Sequence, residues 1–220
     1  MNDILQKELL GSGADIVGFA DLKGFLDADI AHLHRSVSIG VCKNLNEKTV
    51  QLLTALQKKT VKILKKEGCK YLCIPPDSDR TINTFVSKLY PLFTHKSAAT
   101  SAGIGWIGRN GLLVNPTYGP RLSLATVLTD APLKNGTPIE ACLCGDCRMC
   151  IDHCPSGAIT GNDWSRKRPF VELVRLNNCG THKKKSKAVN GKPNCGLCIN
   201  ICPYGRKITK VKDEGFFVNI

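Results

Sequence analysis

Apolar positions along the first 138 residues follow two spacings, one repeating every three to four residues and one every second residue. The longest helical pattern is NEKTVQLLTALQKKTVKILKKEG, residues 46–68. There Val50, Leu53, Leu56, Val61 and Leu64 share a face and Gly68 stops the run. NDILQKELLGS predicts a shorter helix, with Asn2 or Asp3 as its cap and a glycine at its end. ADIVGFA and SVSIGVC read as strands, and CKYLCI as a buried strand ended by Pro75 and Pro76. RTINTFVSKLYPLF and HKSAATSAG carry helical patterns that Pro91 interrupts. GLLVN and RLSLATVLT read as two strands joined by the turn PTYGP. The expected fold is α+β: an α/β-like first domain with a mixed sheet and flanking helices, then a smaller domain of different composition. The turn-rich APLKNGTPIE places the boundary near residue 138, giving domains 1–138 and 139–220.

Cysteine usage sharpens that boundary. Of 12 cysteines, only Cys42, Cys69 and Cys73 precede it, each in or beside an apolar segment, as small buried hydrophobes do. The other nine lie between Cys142 and Cys202. No apolar run approaches the ~20 residues of a membrane helix, and the charged N-terminus is unlike a signal peptide. The expected setting is therefore a reducing cytoplasm, where clustered cysteines bind metal more often than they form disulfides. The formal charge is +13; two 4Fe–4S clusters with their thiolates lower it to about +9.

GIGWIGRNG contains G-x-G-x-x-G at Gly103, Gly105 and Gly108, and Asp130 follows at a distance that suits a ribose contact. A dinucleotide loop needs a strand entering the glycines and a helix leaving them. Here a helical pattern enters and a strand leaves, so the pattern argues against a nucleotide loop.

The stronger signal is CLCGDCRMCIDHCP. Cys144, Cys147, Cys150 and Cys154 follow C-x2-C-x2-C-x3-C-P, the bacterial ferredoxin run whose fourth cysteine serves the other cluster. CGLCINICP repeats it with Cys195, Cys198 and Cys202 but has Lys192 in the first position, and Cys179 is the natural substitute. Exchange of the remote cysteines predicts one cubane on Cys144, Cys147, Cys150 and Cys202, and another on Cys154, Cys179, Cys195 and Cys198. A zinc ribbon or a disulfide framework explains neither the third x2-spaced cysteine nor the two C-P endings. Cys142 is left over. The loops carrying Gly145, Asp146, Gly196 and Leu197 are expected to tune the potentials.

With these segments together, the chain resembles the epoxyqueuosine reductase family, which joins a cobalamin domain to a double-cubane domain and is related to reductive dehalogenases. AGIGWIGRNGLLVNPTYG looks like the family's A-G-L-G-W-I-G-K-N segment. The first cysteine run follows it, and an isolated Cys179 precedes the incomplete second run. The resemblance is close over residues 97–205. It implies a corrinoid near Gly103, Gly105, Trp106, Gly108 and Arg109, with Trp106 as pocket wall or packing residue, and electrons passing through both clusters to cobalamin or a substrate at the domain junction.

Two departures follow. The family's acidic proton donor has no counterpart, because no Asp or Glu lies between Asp79 and Asp130; His95 and Lys96 stand near that place. The family's helical-repeat domain, which helps hold transfer RNA, is also missing from these 220 residues. Both argue against a transfer RNA substrate and leave open a reductase of the same build. The rival expectation is an electron carrier or activator without an organic cofactor, docking a redox partner. Basic runs at 166–168 and 183–187, with Arg206, Lys207, Lys210 and Lys212, suit first a solvated face balancing the clusters. An acidic donor such as flavodoxin or a small ferredoxin ranks next, and nucleic acid last. No membrane partner is expected.

Overall fold

The computed structural model describes residues 1–76, 94–190 and 195–205. The chain divides into two compact units. The first comprises Met1–Ile104 and Leu122–Ile139, and the second Gly105–Arg121 with Glu140 onwards. The division near 139 is thus interrupted by a 105–121 excursion that belongs with the cysteine-rich unit. Among the described residues no helix is long and apolar enough to cross a membrane.

The first unit is built on a four-stranded sheet in the order β1–β2–β6–β3. Its strands are β1 (Ile16–Asp21), β2 (Arg35–Val41), β3 (Tyr71–Ile74) and β6 (Ser123–Thr129), and the pairings are antiparallel. The register places Val37 opposite both Phe19 and Val127, so apolar side chains line up across the sheet. Helix α1 (Asn2–Leu10) buries Leu5 and Leu9. Helix α2 (Glu47–Lys66) buries Leu53, Leu56 and Leu64 in the same core as Val37, Ile39 and Val127. Asn46 caps α2, accepting the Thr49 amide at 3.0 Å, and Gly68 ends it at φ 69°. Gln57 reaches through the core to the carbonyls of Ile74 and Thr126, 2.8 Å each, tying β3 to β6. Cys42 is buried, and Cys69 and Cys73 pack against this core. Burial raises the pKa of the latter two thiols.

Helix α3 (His95–Ser101) follows, capped by Thr94. The earlier helical pattern, RTINTFVSKLYPLF, lies outside the described residues. Gly103, at φ 74°, ends α3, and a Cβ there would stand 2.6 Å from the Thr137 carbonyl oxygen. The first glycine of the triplet is therefore a helix terminator.

GLLVN and RLSLATVLT part company. β5 (Leu113–Val114) pairs with β4 (Trp106–Ile107) in a two-stranded ladder of the second unit, whereas β6 joins the first unit's sheet. Local alternation marked both strands, but partner choice is a tertiary decision.

Candidate metal centre

The second unit places its cysteines on two short, similar loops. Gly145 follows Cys144 at φ 54° and Gly196 follows Cys195 at φ 64°, a left-handed step that turns each chain back on itself. Each loop then forms one helical turn, α4 (Met149–Asp152) and α6 (Leu197–Asn200). Cys179 sits on α5 (Leu176–Asn190).

Side chains of the β4–β5 hairpin grip both loops. Arg109 donates from Nη1 to the Cys147 carbonyl at 2.7 Å, while Asp163 holds its other face through Nε at 2.8 Å and Nη2 at 3.1 Å. Asn110 Nδ2 donates to the Cys198 carbonyl at 3.2 Å. Neighbouring residues of one hairpin thus hold the two cysteine runs. Arg121 adds bonds to the carbonyls of Tyr204, 2.9 Å, and Asn200, 3.4 Å. Gly108 is required by space: a Cβ would lie 2.7 Å from Val114 Cγ2 and 3.5 Å from Cys144 Sγ. Gly105 likewise backs onto the Val114 carbonyl.

One cavity is lined by Cys144, Cys147, Cys150 and Cys202, with Arg109 and Tyr204 among its other walls. Burial pushes the Cys150 thiol up to about 12, helped by charge at Cys144, Cys198, Cys147 and Cys202. Burial likewise pushes Cys198 up to about 11, with charge at Cys195, Cys179 and Cys154 adding to it. The thiols of Cys144, Cys147 and Cys150 thus share one cavity with that of Cys202, from the second cysteine run. Four thiolates held together repel one another, and iron removes that repulsion. Among the described residues, no three His, Cys, Asp or Glu side chains are spaced for a single metal ion. A cubane offers each thiolate its own iron and does not need that tighter spacing.

Cys142 lies against Cys144. Their hydrogen bond raises the pKa of Cys142 and lowers that of Cys144, which also receives the Trp106 indole N–H at 3.4 Å and the Arg109 backbone N–H. Cys154 Sγ accepts the Ala158 amide at 3.3 Å.

The other expected residues fare differently. His95 is not a surface proton donor: its ring is buried, with Nε2 3.0 Å from the Pro75 carbonyl and Nδ1 2.8 Å from Thr126 Oγ1. The carbonyl can only accept, so Nε2 carries the proton and Thr126 donates to Nδ1. Burial lowers its pKa to about 4. Lys96, the next residue, is exposed. Sequence reasoning missed Asn110, Arg121, Asp163 and Tyr204; no spacing rule marks a polar residue that grips a carbonyl far along the chain.

Residues 143–205 match a family described as the 4Fe-4S double cluster binding domain. The chain is 33% identical over 121 residues to an epoxyqueuosine reductase of Cyclobacterium marinum, covering 54% of this chain and 39% of the relative. Over about half its length this chain is similar to an epoxyqueuosine reductase. It spans about two fifths of that curated relative's length. The structure of epoxyqueuosine reductase from Streptococcus thermophilus has the same fold, with a TM-score of 0.68 at 19% identity over 98% of this chain and 69% of that one. A reductive dehalogenase, described in connection with B12-dependent dehalogenation, gives a TM-score of 0.61 at 19% identity, over 89% of this chain and 30% of that one.

Proposed function

We propose that this chain is an iron–sulfur reductase in which two 4Fe–4S cubanes relay electrons singly. Cys144, Cys147, Cys150 and Cys202 hold one cubane, and Cys154, Cys179, Cys195 and Cys198 hold the other. The observation that supports this reading is that Cys202 of the second run lines one cavity together with Cys144, Cys147 and Cys150 of the first. Crossed ligands keep the cubanes close, which a one-electron relay requires. The exposed Lys184, Lys185 and Lys187, on the helix that carries Cys179, suit docking of an acidic donor such as flavodoxin or a small ferredoxin. The acceptor to assay first is epoxyqueuosine, which the relatives' name states.

Cobalamin does not fit the five residues that the resemblance assigned to it. Gly103 ends a helix, Gly105 and Gly108 back onto Val114, Trp106 is 2% exposed against Cys144 and Tyr204, and Arg109 is held by Asp163 and Cys147.

Anaerobic reconstitution tests the crossing. The wild type should take up about eight irons per chain, four per cubane. Cys154→Ser and Cys198→Ser should abolish the same EPR signal, and their double variant should lose no more iron than either alone. Combining Cys154→Ser with Cys150→Ser should remove both cubanes. If Cys154→Ser instead removes the signal that Cys150→Ser removes, the crossed assignment is wrong.

A further inference from the structure

The sulfur of Cys144 has a side-chain hydrogen-bond donor aimed at it from the hairpin. Trp106 Nε1 lies 3.4 Å from Cys144 Sγ, an ordinary N–H···S distance. The indole is fixed on every side. Its backbone pairs with Val114, the Tyr204 ring meets it edge-on at 4.9 Å between centroids, and it is 2% exposed. Water therefore does not compete for the sulfur from that direction, and the N–H has no freedom to turn away. The Tyr204 hydroxyl is itself anchored to the Leu143 carbonyl at 3.1 Å, which keeps the ring pair beside the first cysteine loop.

We infer that Trp106 sets the reduction potential of the cubane held by Cys144, Cys147, Cys150 and Cys202. This rests on the cubane reading above. One-electron reduction takes the cubane core from the 2+ to the 1+ state with no proton taken up, and the added negative charge is shared by the ligand sulfurs. A donor on one of those sulfurs stabilises the reduced form more than the oxidised one, so the potential rises. In the other quartet Cys154 Sγ accepts the Ala158 backbone amide at 3.3 Å and lies 3.6 Å from the Ser156 hydroxyl, both within the loop's own turn. The Trp106 N–H comes from outside the cysteine loops and can be removed while the ring remains. It touches the ligand and not the reacting substrate, and is a positioning residue.

The test is a redox titration, followed by EPR, of reconstituted wild type and Trp106→Phe, with iron measured on each. The expected result is unchanged iron and a potential lowered by about 60 mV for the Cys144 cubane alone, a tenfold change in its one-electron equilibrium. Potentials that do not move, or that move equally in both cubanes, overturn the inference. If Trp106→Phe fails to load, pulsed EPR on wild type with ¹⁵N-labelled tryptophan decides. The chain has two tryptophans, so Trp164→Phe isolates the Trp106 signal. A nitrogen coupling to the reduced Cys144 cubane upholds the contact, and its absence overturns it. Low iron in the wild type itself sinks the cubane reading, which two loaded cubanes with an unmoved potential would leave standing.

Discussion

Leu5, Leu9, Leu53, Leu64, Val37 and Ile39 in the first unit are fully buried, whereas every cysteine of the second unit except Cys202 is partly open. Among the described residues, the two hydrophobic core clusters lie in the first unit. Among the described residues of the second unit, Trp106, Ile107, Leu113, Val114, Ile159 and Trp164 are buried. Removing apolar side chains from water stabilises the first unit without any ligand. The second has short helices, loops turned by glycine and thiols that repel when ionised, so its stability should come largely from the iron they bind.

The largest effect should come from removing that iron. After oxidation and chelation, hydrogen exchange measured by mass spectrometry should show residues 140–205 exchanging freely, while β2 and β6 stay protected. Equal loss of protection in both units would mean that the first unit, too, depends on iron. Next is Leu53→Ala, which opens a cavity against Val37 and Val127 and should cost about 2–5 kcal/mol in urea unfolding of the first unit. Iron content should not change, because the cubane ligands lie elsewhere in the chain.

Acid should act on the first unit through His95. Its imidazole titrates near 6.5 when unfolded and at about 4 when folded. Between those values the unfolded chain binds a proton that the folded one refuses. Stability from this group is therefore complete above pH 6.5 and falls on acidification towards pH 4, by on the order of 3 kcal/mol. Below pH 4 the effect levels off. His95→Gln should flatten this profile, as measured by thermal melts across the range. The smallest effect expected is that of Asn46→Ala, which leaves the Thr49 amide without its cap at the start of α2 and should cost about 1 kcal/mol. It too should leave iron uptake untouched.

Much of this was legible in the residues. Helix α2 could be read because its apolar positions and its terminal glycine are set by spacing along one short stretch of chain. The two cysteine runs could be read for a related reason: three thiolates on one cubane demand a tight loop, and the fourth, beyond the x3 gap, is directed elsewhere. The G-x-G-x-x-G triplet misleads if taken alone. Gly103 ends a helix, while Gly105 and Gly108 make room for Val114 and Cys144, and the pattern holds no record of which neighbour presses on each glycine. His95 shows the same limit. Its place between Thr94 and Lys96 suggests a surface residue, yet the contacts that bury and neutralise it come from Pro75 and Thr126.

The sequence by itself determined helices α1 and α2 and strands β1, β2, β3, β5 and β6, because periodicity and turn chemistry are local. The tertiary structure alone decided that β5 and β6 serve different sheets and that residues 105–121 join the cysteine-rich unit. It also decided that Arg109 and Asn110 hold the two cysteine loops and that Trp106 meets Cys144. These contacts join residues about 40 to 90 positions apart. A long-range contact of that kind depends on how the whole chain packs, and no short window of sequence records it.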